Sequence, residues 1–476
     1  MPLTREEARK IYQLGEEAVV DLLVRLTEEI AYLRSRIEQL ENQLAKDSHN
    51  SHKPPSSDGF KKVKRTKSLR QKSGRRQGGQ KGHKGHHLKM VAKPDHIEYH
   101  HILGNCLCGR SLQDKQPERY VKRQVYDVPP IEIEVTEHRA EVKTCDCGIS
   151  HTAIFPEGVD NPVQYGPRIK SIAVYLMNYQ HLPYERTCEA IEDLLNHKLS
   201  PGTLFNFNQA CYHKLEKTEK IIKEQLISSP VIHNDESGMY VNKERLWLHS
   251  TGTAYFTYYA CHSKRGKQAM DDIGILPVFK GTSVHDFWTP YLKYDHCRHG
   301  LCGAHLLREL DYIYERYNQR WAKEMQKLLC KIKEKIETVK EYCHCFDDKT
   351  ILKYQQHYQK IIDDGYRSNP PPDQKKQKRG RPKKSEPLNL LDRFQNHPKK
   401  VLAFMYDFNV PFDNNLAERD IRMMKLKQKI SGTFRNIQGA YFFCRIRGYL
   451  STVKKQNVNV LQAIRSIFEG EPILLG

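Results

Sequence analysis

One segment of this chain has too few apolar side chains to build a core, and it divides everything else. Residues 61–86 hold eleven Lys or Arg and no Asp or Glu. The wider stretch 49–90 is dominated by Ser, Pro, Gly, His, Lys and Arg. Such a composition buries too little apolar surface to offset the conformational entropy lost on folding. It reads as a flexible basic arm that would bind phosphates through counterion release, without base specificity. The whole chain carries +21 over 476 residues with a pI near 9.3, so a polyanionic partner is expected, most simply nucleic acid.

Upstream, residues 1–48 predict one long helix from residue 4 to residue 47. Thr4 and Glu7 form a capping-box pair. Leu23, Ile30, Ile37 and Leu44 recur every seven residues, and Leu26, Leu33 and Leu40 fill the matching offset. This is a heptad seam with Ile at two a positions and Leu at d, a pattern that favours a parallel two-stranded coiled coil. Glu29 would face Arg34 of a partner helix, and Arg36 would face Glu41. Self-association is expected, because the basic arm that follows offers no core to pack against.

Residues 91–160 contain two matching turns, Cys106-Leu107-Cys108-Gly109 and Cys145-Asp146-Cys147-Gly148. Alternating runs such as Ile131–Val135 lie between them. Four thiolates at the ends of a small β unit read as a zinc-ribbon-like module with tetrahedral Zn²⁺. The one-residue spacing is tighter than the usual two, and His100, His101 or His151 can substitute for a thiolate. Residues 161–228 predict helices at 168–179 and 184–195. A third follows, with Ser200 as N-cap and Pro201 in its first turn. The arrangement fits a helix-turn-helix-like DNA-binding domain.

Over residues 229–310 the apolar period changes to two. Strands are expected at 230–235, 245–249 and 254–260, then a helix near 267–273, then a strand at 282–286. An antiparallel meander continuing into a parallel strand is the order of an α/β RNase H-like core. Residues 311–405 read as a helical insertion. It contains Lys378-Arg379-Gly380-Arg381-Pro382, an AT-hook-like segment whose Arg379 and Arg381 would enter a narrow minor groove. Residues 406–476 return to the core and supply a helix that starts near Glu418.

Three carboxylates stand out. Asp235 and Asp286 each close a strand-like run, and Glu418 opens a helix rich in Arg and Lys. Two strand-tip Asp residues and a helical Glu suit a pair of Mg²⁺ or Mn²⁺ ions acting on phosphodiesters. Glu236 rivals Asp235 as a ligand, Asp271, Asp272 and Asp295 rival Asp286, and Glu418 can instead close a capping box with Asn415. Cys302 and His305 lie three apart, on one face if the stretch is helical, near the same site. Arg419, Arg422 and Lys425 follow the Glu and are candidates for DNA phosphate contact.

The segments His233-Asn234-Asp235-Glu236-Ser237, Cys302–Leu310, Val410–Arg422 and Lys429–Arg435 resemble the insertion-sequence 66 family of DDE transposases. The resemblance extends to the N-terminal zipper, the Lys53-Pro54-Pro55-Ser56-Ser57 linker and the paired Cys turns. It implies an RNase H-like core, a Mg²⁺-dependent triad at Asp235, Asp286 and Glu418, and inserted helices in the 132 positions separating Asp286 from Glu418. It also implies DNA strand cutting and joining at element ends by a bacterial, nucleoid-associated protein, with accessory proteins of the same element as further partners. Two other readings stay open at this point: a DNA-binding regulator with a silent core, and a structure-specific nuclease of the same fold. Thirteen Cys without an export signal point to the reducing cytosol, and no apolar run is long enough to suggest a membrane span.

Overall fold

The computed structural model describes residues 4–47, 50–51, 88–113, 115–370 and 384–475. The basic arm and the AT-hook-like segment, with Arg379 and Arg381, lie outside the described residues. The chain separates into two compact units. One comprises residues 1–65, 154–191 and 198–476, and the other residues 66–153 with 192–197.

The N-terminal helix is two helices, α1 (Arg5–Gln13) and α2 (Glu16–Leu44). The expected capping box forms, with the Glu7 N–H donating to Thr4 Oγ1 at 3.3 Å and the Thr4 N–H to Glu7 Oε2 at 2.8 Å. Continuity fails at Gly15, whose φ of +100° is a conformation that side-chain-bearing residues avoid. The seam residues Leu23, Leu26, Ile30, Leu33, Ile37, Leu40 and Leu44 are all exposed, from 42% to 85%. At its C-terminal end α2 meets the helical insertion: Arg316 donates to Asn42 Oδ1 at 2.8 Å and pairs with Glu41 at 2.9 Å.

Among the described residues of the second unit, regular strand is confined to β1 (Val142–Thr144) and β2 (Ser150–Thr152), an antiparallel pair around the second Cys turn. Ile131–Val135, expected as a strand, has no ladder partner. Alternation alone cannot hold a strand when no neighbouring edge accepts its backbone groups.

Helices α3 (Pro167–Val174), α4 (Tyr184–Leu195), α5 (Pro201–Lys214) and α6 (Glu216–Ser228) follow. The first continues through a π-helical turn at Tyr175–Tyr179. Ser200 caps α5 by accepting from the Thr203 N–H at 3.1 Å. The long third helix divides at Leu215, which is buried at 1%.

The central sheet has five strands in the order β5-β4-β3-β6-β7. They are β3 (Val231–Val241), β4 (Glu244–Gly252), β5 (Thr257–His262), β6 (Thr282–His285) and β7 (Arg298–Leu301), with α7 (Lys267–Ile273) between β5 and β6. The first three form the antiparallel meander, and β6 and β7 add in parallel. The mixed sheet is compatible with an RNase H-like core. Two boundaries differ from the sequence reading. The third strand begins at Thr257 because Thr253 turns the chain, accepting from the Phe256 N–H through Oγ1 at 3.0 Å. The fifth strand, β7, is too short and too His- and Gly-rich to show a period.

The insertion comprises α8 (Gly303–Tyr317), α9 (Arg320–Val339), α10 (Asp348–Ser368), α11 (Glu386–Asn396), α12 (Pro398–Val401) and α13 (Ala403–Tyr406). Its apolar faces build one core, with Trp321, Leu329, Ile332, Ile362, Leu391 and Phe394 at the centre. The chain then enters α14 (Asn415–Ser431), α15 (Ile437–Lys455) and α16 (Val460–Glu469). Met239, Val241, Leu248 and Tyr259 of the sheet pack with Ile421, Met424 and Phe443 of α14 and α15. Among the described residues, no helix is long and apolar enough to cross a membrane.

Candidate active site

Asp235 is not at a strand tip. It sits in the middle of β3, opposite Ser250 of β4. The parallel partner β6 stops pairing with β3 at His233, so Asp235 emerges just past the point where that side of the strand becomes free. Asp286 follows the last residue of β6 directly and accepts the Trp288 N–H at 3.0 Å through Oδ1. Glu418 is in the first turn of α14, a favourable place for a negative charge. The helix N-cap is Asn414 and makes no side-chain cap bond, so Glu418 is not spent on a capping box with Asn415.

The three carboxylates are close enough to act on one another. Burial, and then the charges of Glu236, Asp286 and Glu418, push the Asp235 carboxyl well above the usual carboxylate range. Glu236 has a different role. Its side chain is 2% exposed and both oxygens are engaged. Arg265 grips Oε1 at 2.6 and 3.0 Å, and the Tyr291 hydroxyl donates to Oε2 at 2.5 Å. Asp235 accepts only from the Glu236 N–H among its hydrogen bonds. Of the rivals to Asp286, Asp271 is engaged by Lys267 and by the Tyr294 hydroxyl.

Asn414 holds this arrangement, and the sequence reading missed it. Its side chain donates to the Asn234 carbonyl at 2.8 Å and lies 2.8 Å from His233 Nδ1, while its own N–H reaches Cys302 Sγ at 3.2 Å. Because the amide oxygen can only accept, His233 carries its proton on Nδ1. Burial keeps that ring neutral by lowering its pKa. Asn234 is fixed in turn by Ser283 and Thr251, at 2.9 and 2.7 Å. One buried amide thus links β3 beside Asp235, the entry to α8 and the start of α14. A second tether is Asp420, which accepts from Lys455 at 2.7 Å and Thr257 at 3.2 Å. Packing adds a close approach: a Cβ at Gly303 would lie 2.4 Å from the Phe412 ring.

Cys302 and His305 do come to the site. With Glu418 they form a group whose ligand atoms lie within 4.8 Å of one another. His305 Nδ1 is 3.7 Å from Glu418 Oε1, and Arg308, absent from the sequence reading, is 4.0 Å from Oε2. Burial, then the charge of Glu418, pushes the Cys302 thiol up to about 12. Arg419 and Arg422 project from exposed positions on α14. Lys425 is instead drawn to the Gly238 carbonyl at 2.7 Å.

The two Cys turns share one backbone pattern. Gly109 donates to Cys106 O and Gly148 to Cys145 O, each at 2.8 Å. Cys108 lowers the pKa of Cys106 by hydrogen bonding, and Cys147 does the same for Cys145. Each turn therefore presents a thiol pair. Among the described residues the four thiols do not form one group with metal-ligand spacing.

The family model for the IS66 transposases matches residues 162–441, more than half of the chain. The chain belongs to the IS66 transposase family. The matched span includes Asp235, Asp286, Asn414 and Glu418 and the whole helical insertion. Residues 3–89, the N-terminal helices and the basic stretch after them, match a family of unknown function (DUF6444). No curated protein matches the chain.

Two substitutions separate the clamp from the charge it holds together. Asn414→Ala strands the Asn234 carbonyl and the His233 Nδ1–H in a buried site, so it should cost about 1–3 kcal/mol in denaturant unfolding and weaken cation binding. Asp235→Asn should do the reverse in metal-free protein. A raised carboxyl pKa means stability present below the unfolded value near 3.8 and lost as pH rises through the folded pKa. Removing the charge should therefore raise stability at neutral pH by about 0.5–2 kcal/mol, with the gain vanishing in acid. A neutral-pH melting temperature at or below wild type for Asp235→Asn would refute the account of a carboxyl held above its usual range by burial and neighbouring charge.

Proposed function

We propose that this IS66-family transposase cuts and joins DNA strands at the ends of an insertion sequence by divalent-metal-dependent phosphodiester transfer on an RNase H-like core. Asp235, Asp286 and Glu418 form its DDE triad. The observation that carries this reading is the burial of Asp235 beside Glu236, Asp286 and Glu418, which leaves it hard to ionise until a cation balances it. The donor set is all oxygen, which suits Mg²⁺ or Mn²⁺. Asp235, Asp286 and Glu418 would hold these ions. When bound, such ions activate water or a 3′-hydroxyl and neutralise the leaving oxygen.

The chain's own residues do the rest. Arg265 and Tyr291 keep Glu236 engaged, so that it does not compete for the ions. His305 and Arg308 flank the Glu418 carboxylate and orient it. Arg419 and Arg422 face solvent where a phosphate backbone would run. The basic arm, with the AT-hook-like Arg379 and Arg381, supplies further DNA contact. The two thiol pairs, Cys106/Cys108 and Cys145/Cys147, would share one Zn²⁺ once their turns close together.

The exposed seam of α2 supports a dimer, in which two copies hold two element ends. Lys at both Ile30 and Ile37 should convert the protein to a monomer in sedimentation equilibrium while leaving its circular dichroism nearly unchanged. A persistent dimer would place the interface elsewhere. For the chemistry, Glu418→Gln should retain end binding in a mobility-shift assay and lose Mg²⁺-dependent nicking and strand transfer by at least about a hundredfold. Unchanged cleavage in that variant would remove Glu418 from the triad.

A further inference from the structure

Two of the three tryptophans stand beside the carboxylates, in a ladder with two arginines that the metal chemistry does not use. Arg245 lies over the Trp247 ring at 4.4 Å, Arg265 over Trp247 at 4.8 Å, and Arg265 over Trp288 at 4.1 Å. At one end the ladder touches the site. The Trp288 N–H donates to Asp286, and Arg265 is paired with Glu236, next to Asp235. At the other end Arg245 is exposed, while Trp247 and Trp288 are half-buried.

The two arginines are not equivalent. Arg265 is locked by its two bonds to a buried carboxylate. Arg245 has no ion pair among the described residues, and after burial its charge is what lowers the pKa of Lys425. It rests over Gly238, the cross-strand partner of Trp247, where a Cβ would come within 3.0 Å of its Nε. A glycine inside a strand marks a place where something lies close to the backbone.

We infer that the Trp247 face now covered by Arg245 is a stacking site for an unpaired nucleobase of the DNA substrate, with Arg265 backing the ring and Arg245 swinging out to a phosphate. The inference rests on the transposase reading. It is a matter of relative strength. An exposed cation–π contact is worth about a two- to fivefold change in an equilibrium. A base stacked on an aromatic ring is worth about five- to 150-fold. The base therefore displaces the guanidinium, and the displaced charge gains a phosphate partner. A base within a duplex is already stacked on both sides, so the site selects one that is extrahelical or single-stranded. The register sets the Trp247 side chain on the sheet face opposite Asp235, joined to the site through Arg265 and Trp288, so the base held there belongs to DNA running past the cut.

The test uses the full-length protein with Ca²⁺ in place of Mg²⁺. Its two ligands are a labelled oligodeoxythymidylate of about 12 nucleotides and a blunt duplex. Wild type should bind both, with tryptophan fluorescence quenched by the single strand. Trp247→Ala should weaken single-strand binding by about five- to 150-fold and duplex binding by less than about twofold, and Trp247→Phe should restore most of the loss. Arg245→Ala should keep the quenching and lower the slope of log K against log salt by about 0.7. Single-strand binding by Trp247→Ala equal to wild type, or equal losses on both ligands, would overturn the stacking site while leaving the transposase reading intact. Wild-type protein that binds neither ligand would overturn the transposase reading and the stacking site with it.

Discussion

The catalytic reading depends on one buried amide. Asn414 reaches back 180 positions to the carbonyl of Asn234 and so joins β3 to the start of α14. Three carboxylates of like charge repel one another, and nothing in their own chemistry holds them together. They stay within reach because the backbone on either side is fixed by neutral hydrogen bonds that the charges do not disturb. Asn234, held by Ser283 and Thr251, passes the same constraint to β6 and β4. Asp420 and Lys455 fix the far side of α14 against α15. The three carboxylates thus sit in a frame that does not depend on their own charges.

Within that frame, neighbouring acids are distinguished by their partners. Asp235 and Glu236 are adjacent in sequence, and both resist ionisation because they are buried. Glu236 has Arg265 and Tyr291 to satisfy it. Asp235 has no such cation beside it among the described residues. The same ion pair fixes Arg265 between two indoles, so a contact that silences one acid also builds the aromatic edge beside the other. Structural and functional roles are hard to separate here, because both draw on the same side chains.

Much of this was legible in the sequence. The capping box at Thr4, the helix bounds at Tyr184–Leu195 and Lys267–Ile273 and the antiparallel meander follow from local pattern, whereas the choice of Asp235, Asp286 and Glu418 leaned on the family resemblance. Local pattern fails where distant contacts decide. Asp235 looks terminal because the run before it is apolar, yet β3 continues to Val241 on the strength of its pairing with β4. The single N-terminal helix overlooked what one Gly can do to a heptad. Asn414 has the composition of any turn residue, and only its partners at Asn234, His233 and Cys302 reveal its importance. Those partners lie more than a hundred residues away.

The insertion leaves the core at Cys302 and returns at Asn414, and these two residues touch. One step along, the Gly303 N–H donates to the Phe412 carbonyl at 2.7 Å. More than a hundred residues thus leave and rejoin the core at one point closed by two hydrogen bonds, and α12 and α13 fold back onto β7. A module attached in this way is transplantable: its helices can be lengthened, exchanged or lost between recombining genes while the stem stays closed and the carboxylates keep their places. The reach of the enzyme along DNA can then diversify independently of its chemistry.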